Sequence, residues 1–141
     1  MQLDHVCIAV RSIDNAADRL CELLGYVKKT AKVTNTRHRV NVQFLGKTDS
    51  LDIKLIEPAD ADSSLWEFIK KGGGLHHLGF KTSDVGQACA ELAEKKVRIL
   101  SAPAPGEAFE DHLIAFCYLG FGLNAEFIDT DERRNRIGEL T

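Results

Sequence analysis

A constant offset of 72 residues lays one half of this chain on the other, and self-similarity at a fixed period constrains a fold more than any local propensity does. The shift carries His5 onto His77, Ile8 onto Phe80, Ile13 onto Val85, Ala16 onto Ala88, Leu20 onto Leu92 and Glu22 onto Glu94. At the far end Leu51-Asp52-Ile53-Lys54-Leu55-Ile56-Glu57 falls on Leu123-Asn124-Ala125-Glu126-Phe127-Ile128-Asp129 without an insertion. Two copies of one supersecondary unit are therefore expected.

Each half reads as the same order of elements. Leu3 to Val10 alternates Val6, Ile8 and Val10 against His5, Cys7 and Ala9, the period-two pattern of a strand. Ser12 or Asp14 then caps a helix whose apolar positions Ile13, Ala16, Ala17, Leu20, Leu23 and Leu24 recur at helical spacing, and Gly25 ends it. Extended segments follow at about Tyr26 to Val33, Arg37 to Leu45 and Leu51 to Pro58. The second half gives a strand at Leu75 to Lys81, a helix capped by Ser83 or Asp84 through about Lys95, and strands near Val97 to Leu100, His112 to Leu119 and Leu123 to Asp129. Between them Asp62-Ser63-Ser64 opens a short helix with Leu65, Phe68 and Ile69 on one side, and Gly72-Gly73-Gly74 breaks it. The expectation is an α+β fold of two paired βαβββ modules, forming a cupped, mostly antiparallel eight-stranded sheet around a central cleft. Its boundaries are module one at 1–58, a linker at 59–74 and module two at 75–129, together one domain over 1–129. Residues 130–141 are charged enough to read as a C-terminal tail or surface helix.

At 141 residues with 44% apolar side chains the chain is long enough for one sizeable core, and a net charge of -3 gives no positive field to recruit nucleic acid or an anionic membrane. The absence of an apolar stretch of membrane-spanning length or of a signal region reads as cytoplasmic. Cys7, Cys21, Cys89 and Cys117 include no Cys-x-x-Cys pair, and read as reduced core thiols.

Alternation sorts side chains onto faces. Ile53, Leu55, Ala125 and Phe127 belong under the helices, which turns Lys54 and Glu126 toward the cleft; the same logic sends His5 and His77 there. The third strand sets Arg39, Asn41 and Gln43 against Val40, Val42 and Phe44, the polar set toward the cleft. Two imidazoles and a carboxylate converging in one cavity suit a divalent metal with open positions for substrate, the constellation of Lewis-acid chemistry. The plain alternative is two core histidines and a solvated strand carboxylate. Lys54 reads three ways: a surface ammonium, a base or neutral nitrogen donor depressed by a metal, or a salt-bridge partner of Glu126 in a metal-free site. Alternation turns His76 away from the cleft, as a structural residue or a partner of His77. Lys28, Lys29, Arg37, His38 and Arg39 read as a solvated basic loop, with contact to cofactor phosphates as the alternative. His112 and Tyr118 read by default as packing residues, and the cavity mouth is their other reading.

The strand Leu3 to Val10, the Leu55-Ile56-Glu57-Pro58 ending, the run from Ser63 through Trp66 and Gly72-Gly73-Gly74 to His76-His77, and Asn124-Ala125-Glu126-Phe127 together resemble the vicinal oxygen chelate (glyoxalase, bleomycin resistance, dioxygenase) superfamily. The likeness covers about residues 1 to 129 and leans toward its methylmalonyl-CoA epimerase-like branch. The resemblance implies paired βαβββ modules around a divalent ion that binds adjacent oxygens of a substrate. Carried over by position, the metal ligands are His5, His77 and Glu126. The fourth place, Gln or Glu in the family, holds Lys54, and the third-strand catalytic Glu of the epimerases falls on Asn41.

The leading functional expectation is a metal-dependent isomerase, epimerase or lyase working through an enolate next to a carbonyl, with an acyl-CoA thioester among the substrates. Its cofactor is a divalent ion (Co, Mn, Ni, Zn or Fe), and Glu126 or Lys54 moves the proton. A non-haem iron oxygenase on the two-His one-Glu set is the first alternative, and a non-catalytic small-molecule binding protein the second. Exposed module edges add a homodimer.

Overall fold

A computed structural model describes residues 1–138; Glu139, Leu140 and Thr141, the end of the expected tail, lie outside the described residues. The first strand, β1 (Gln2–Ala9), leads into α1 (Ile13–Leu24). Ser12 caps that helix, its Oγ accepting the Asn15 N–H at 3.2 Å, and Gly25 closes it in the left-handed region with φ 75°. Then come β2 (Val27–Lys28), β3 (Val33–Asn35), β4 (Val40–Gly46), β5 (Asp52–Pro58) and the linking helix α2 (Leu65–Lys70). The second module repeats the series as β6 (Gly74–Lys81), α3 (Val85–Glu94) with Asp84 as its cap, β7 (Arg98–Pro105), a 3-10 turn at Glu107–Phe109, β8 (Leu113–Gly120) and β9 (Leu123–Ile128).

All nine strands form one open mixed sheet in the order β2-β4-β5-β1-β6-β9-β8-β7, with β3 paired to β4. The expected eight become nine because the segment expected from Tyr26 to Val33 is split: Thr30 leaves the ladder of β2 and β3 to bridge Arg136. The duplication is kept at the level of register. On parallel strands β1 and β5, His5 faces Asp52 and Cys7 faces Lys54; on β6 and β9, His77 faces Asn124 and Gly79 faces Glu126. The two halves meet where β1 and β6 run antiparallel at the centre of the sheet.

Helices α1 and α3 cover one face, as the alternation requires. Ile13 and Ala17 pack on Leu45 and Leu55 under α1, and Val85 and Cys89 pack on Ala115, Cys117, Ala125 and Phe127 under α3. The other face is more apolar than the sequence suggested. Cys7, Ala9, Val40, Val42, Phe44 and Ile56 on the strands meet Leu65 and Ile69 of α2 and Ala108 and Phe109 of the 3-10 turn there, in the largest buried cluster.

That packing corrects the reading of the third strand. β4 pairs with β5 so that Phe44 faces Lys54 and Val42 faces Ile56, which puts the apolar set on the cleft side. Asn41 points the other way, its Nδ2 donating to Glu57 Oε2 at 2.9 Å. Alternation separates two faces but does not say which faces the core when both are buried.

Residues 130–138 differ from the expected tail. Thr130 and Arg133 are buried, the Ile137 N–H donates to the Lys29 carbonyl, and the Arg133 guanidinium lies 4.5 Å over the Phe44 ring. A charged segment folds back here because half-buried Asp4 and buried Asp52 give the Arg133 guanidinium partners, at 2.6 and 3.5 Å. No helix among the described residues is long and apolar enough to cross a membrane.

Candidate active site

Four side chains from four adjacent central strands converge on the cleft face. Glu126, with none of its surface exposed, sits at their centre. One of its oxygens, Oε1, lies 2.9 Å from His5 Nε2, 3.2 Å from His77 Nε2 and 3.1 Å from Lys54 Nζ. The Lys54 ammonium also donates to Oε2 at 3.1 Å, so it spans the carboxylate. The rings of Phe109 and Phe116 stand 5.2 and 5.9 Å from its nitrogen, and only 4% of Lys54 is exposed. Thus the structure brings together His5, Lys54, His77 and Glu126, the two pseudosymmetric pairs. Burial alone would raise the Glu126 carboxyl, but the Lys54 ammonium and the hydrogen bonds from His5 and His77 outweigh it and hold that carboxyl well below its ordinary range.

Two β-bulges, themselves related by the repeat, orient the imidazoles. β1 and β6 slip register between Leu3 and His5, which leaves Asp4 without a cross-strand partner, and again between Cys7 and Ile8, which leaves His76 without one. Each unpaired residue turns its side chain onto the histidine that follows it. Asp4 Oδ2 lies 2.8 Å from His5 Nδ1, and His76 Nδ1 lies 2.8 Å from His77 Nδ1. His76 is thus a partner of His77, as one reading had it, and the bulge also brings it to the cavity wall, against the expectation from strict alternation.

Glycine at 79 is required by this crossing. His5 pairs with Gly79 across β1 and β6, and the imidazole lies over the glycine backbone on its way to Glu126. A Cβ on Gly79 would stand 1.9 Å from His5 Cε1.

Beside the cluster opens a cavity of about 290 Å³, to whose lining Lys54, His76, His77 and Phe116 contribute together with Asn35 and His38. His38 was expected in a solvated loop. It is half-buried instead: Asn35 Oδ1 accepts its backbone N–H at 3.0 Å, its ring packs edge-on against Phe116, and its Nε2 is buried without a hydrogen-bond partner among the described residues. Burial, then the nearby Lys54 charge, lowers its pKa, which favours the neutral imidazole. The only sequence signal for this was a histidine in a turn beside an inward-facing strand.

Of the other basic loop residues, Lys28 pairs with Asp18 and Arg39 with Asp60 and Asp62 at the surface, while Lys29 pairs with the buried Asp52. His112 pairs with Asp129 and Tyr118 accepts the Gly122 N–H through its hydroxyl, and neither lines this cavity.

The sequence profile of the Glyoxalase/Bleomycin resistance protein/Dioxygenase superfamily matches residues 4–116. The chain belongs to that superfamily. Among its members, mitochondrial methylmalonyl-CoA epimerase of Bos taurus is 35% identical over 107 residues, a match covering 73% of this chain and 59% of the bovine one, so the chain spans about three fifths of that relative. The crystal structure of methylmalonyl-CoA epimerase from Mycobacterium tuberculosis superposes with a TM-score of 0.80 at 28% identity, covering 91% of this chain and 87% of that one. A Streptomyces coelicolor methylmalonyl-CoA epimerase variant in complex with 2-nitronate-propionyl-CoA superposes at 0.81 and 25% identity, covering 93% and 98%.

For this superfamily member the metal reading meets a specific obstacle. Among the described residues, His5, His77 and Glu126 have ligand atoms within 4.8 Å of one another, as do Cys7, His76 and His77. The second group loses its thiolate, because burial pushes the Cys7 thiol far up. The first has the right donor types, yet Lys54 puts a proton-bearing nitrogen on both oxygens of its only carboxylate. As the side chains stand, this set does not fit a divalent cation.

The buried histidines make stability depend on pH. Burial lowers His77 to about 3 and His76 to about 4, against 6.5 for an ordinary histidine. The unfolded chain therefore binds more protons in that window, and the stability these groups contribute is present above about pH 6.5 and lost as pH falls toward the folded values, by up to about 1.4 kcal/mol per pH unit for each. Glu126 acts in the same direction at the acid end, since its lowered pKa contributes stability that is lost as it protonates. Urea midpoints should fall steeply between about pH 6.5 and 4, and His76→Gln should flatten the slope; a flat profile for the parent chain contradicts the burial argument.

Proposed function

We propose that this chain is an acyl-CoA isomerase of the epimerase kind, which removes and returns the proton on the carbon next to a thioester carbonyl. The observation that carries the reading is a neutral imidazole, His38, whose Nε2 has no hydrogen-bond partner among the described residues, on the wall of the same cavity that Lys54, the ion-pair partner of buried Glu126, helps to line. The epimerase relatives, one of them solved with an acyl-CoA analogue, supply the substrate class.

In this reading the acyl head enters the cavity and its carbonyl oxygen meets Lys54. Charge that builds on that oxygen as the proton leaves is stabilised by the ammonium, a preorganised donor in a site with little water. Glu126, named with Lys54 as a proton carrier from sequence, is held ionised by three donors and is fully buried, so its part is to position Lys54, His5 and His77. The proton step falls to His38, which takes the α-proton as a neutral imidazole and, once protonated, returns that proton or one exchanged with solvent. A small cavity suits the acyl head alone, leaving the carrier outside. A homodimer formed along the open sheet edge at β7 belongs to the same proposal.

The test is exchange of the α-proton of methylmalonyl-CoA in deuterated water, followed by NMR. Turnover-dependent exchange is expected, and His38→Gln should slow it by roughly 10² to 10⁴ while leaving the fold intact. Unchanged exchange in that variant removes His38 from the mechanism. The Lys54 to Glu126 contact also favours a second reading, a cavity kept for binding alone. In that case the parent chain shows no exchange but still binds 2-nitronate-propionyl-CoA in a calorimeter.

A further inference from the structure

We propose that the Lys54 ammonium is the resident cation of this site, a tethered monovalent charge standing where the donor arrangement would otherwise take a divalent metal ion. Five observations converge on it. Lys54 and Glu126 occupy equivalent positions of the repeat, on β5 and β9, each in the same register to its own central strand. The ammonium spans both carboxylate oxygens at 3.1 Å, a contact that a metal ligated by Glu126 would have to displace. Phe109 and Phe116 turn ring faces toward it, and aromatic faces solvate a cation but offer no lone pair to a metal. Arg133, the other buried cation, is held away from Glu126 by Asp4 and Asp52, so Lys54 is the carboxylate's own counter-charge. Finally, Lys54 reaches the cavity, so the charge is presented to whatever binds there.

The physical reason is charge balance in a poorly hydrated place. A dication entering among His5, His77 and Glu126 would sit within a few ångströms of an existing positive charge, and their repulsion there is large. Lys54 removes that option and keeps the site electrically complete without any ion. Within the isomerase reading, on which this last step rests, a substrate carbonyl oxygen would receive a hydrogen bond from nitrogen where other superfamily members are expected to offer it a metal.

The test separates the cation from the chemistry. The full chain, stripped with chelator, is titrated with cobalt(II) alone, watched by its visible absorption and by metal analysis after desalting. The parent chain and Lys54→Arg should retain no stoichiometric cobalt. Lys54→Gln, which replaces the ammonium by an oxygen donor, should take up one ion per chain, with an affinity on the order of a thousandfold or more above the parent. Lys54→Met serves in its place should the Gln variant fold poorly, since it removes the charge without adding a polar group. One cobalt, or one ferrous ion under anaerobic titration, bound by the parent chain as tightly as by Lys54→Gln overturns the proposal. So does a folded Lys54→Gln or Lys54→Met that binds none. Proton exchange that survives in chelator-treated parent protein supports the isomerase reading independently, and its absence would sink that reading while leaving the cation result standing.

Discussion

Replacing Glu126 by glutamine is expected to cost the folded state about 3–5 kcal/mol, because it strands the buried Lys54 charge without its partner. For a domain of this size that lowers the thermal midpoint by roughly 10 °C. Glutamine keeps the shape and keeps an oxygen for the His5 and His77 hydrogen bonds, so the loss isolates the charge rather than the packing. The partner variant decides the cause. Lys54→Met in the Glu126→Gln background should recover most of the stability, since neither buried charge then remains, and the coupling between the two positions should amount to about 2 kcal/mol or more. Equal stability of Glu126→Gln and the parent chain, read from urea midpoints at constant pH, would mean that Lys54 is not held as a charge in this place.

Gly79→Ala should be the most damaging single methyl in the molecule. The added carbon would overlap the His5 ring, at 1.9 Å from Cε1 and 2.3 Å from both nitrogens. That ring has nowhere to go: Asp4 and Glu126 hold its two nitrogens, and Phe44 and Phe109 pack on it. Overpacking a tight core costs about 1–3 kcal/mol and occasionally more. The displaced imidazole should also leave Glu126, so His5 ring signals in an NMR spectrum move together with the melting temperature. A second change, His5→Ala, relieves the overlap and should make the Gly79→Ala chain more stable than it is alone. The idea fails if Gly79→Ala melts with the parent and its His5 signals do not shift.

Both outcomes trace to the arrangement that the repeat dictates, and that arrangement was visible before any coordinates. A constant offset pairs His5 with His77 and Lys54 with Glu126, and period-two alternation puts all four on one face. Because strand order and register are the same in the two halves, equivalent residues reach equivalent places. The superfamily, the α+β class and the convergence of those four side chains follow from that.

Three features belong to the tertiary structure alone. The bulges at Asp4 and His76 add one residue to a strand, and a period-two pattern carries no mark of where that happens, since it depends on how β1 and β6 cross at the centre of the sheet. The orientation of β4 depends on α2 and the 3-10 turn, which bury the cleft face as thoroughly as α1 and α3 bury the other, so polarity ceases to distinguish inside from outside and Asn41 lands away from the cavity. The inward position of His38 and the docking of Arg133 depend on partners far away in the chain, Phe116 for one, Asp4 and Phe44 for the other. Local pattern therefore decides which residues share a face, because that is a property of one strand's geometry. What each face meets is decided by long-range packing, and from it come the cavity wall, the neutral imidazole on it, and the ion pair buried beside it.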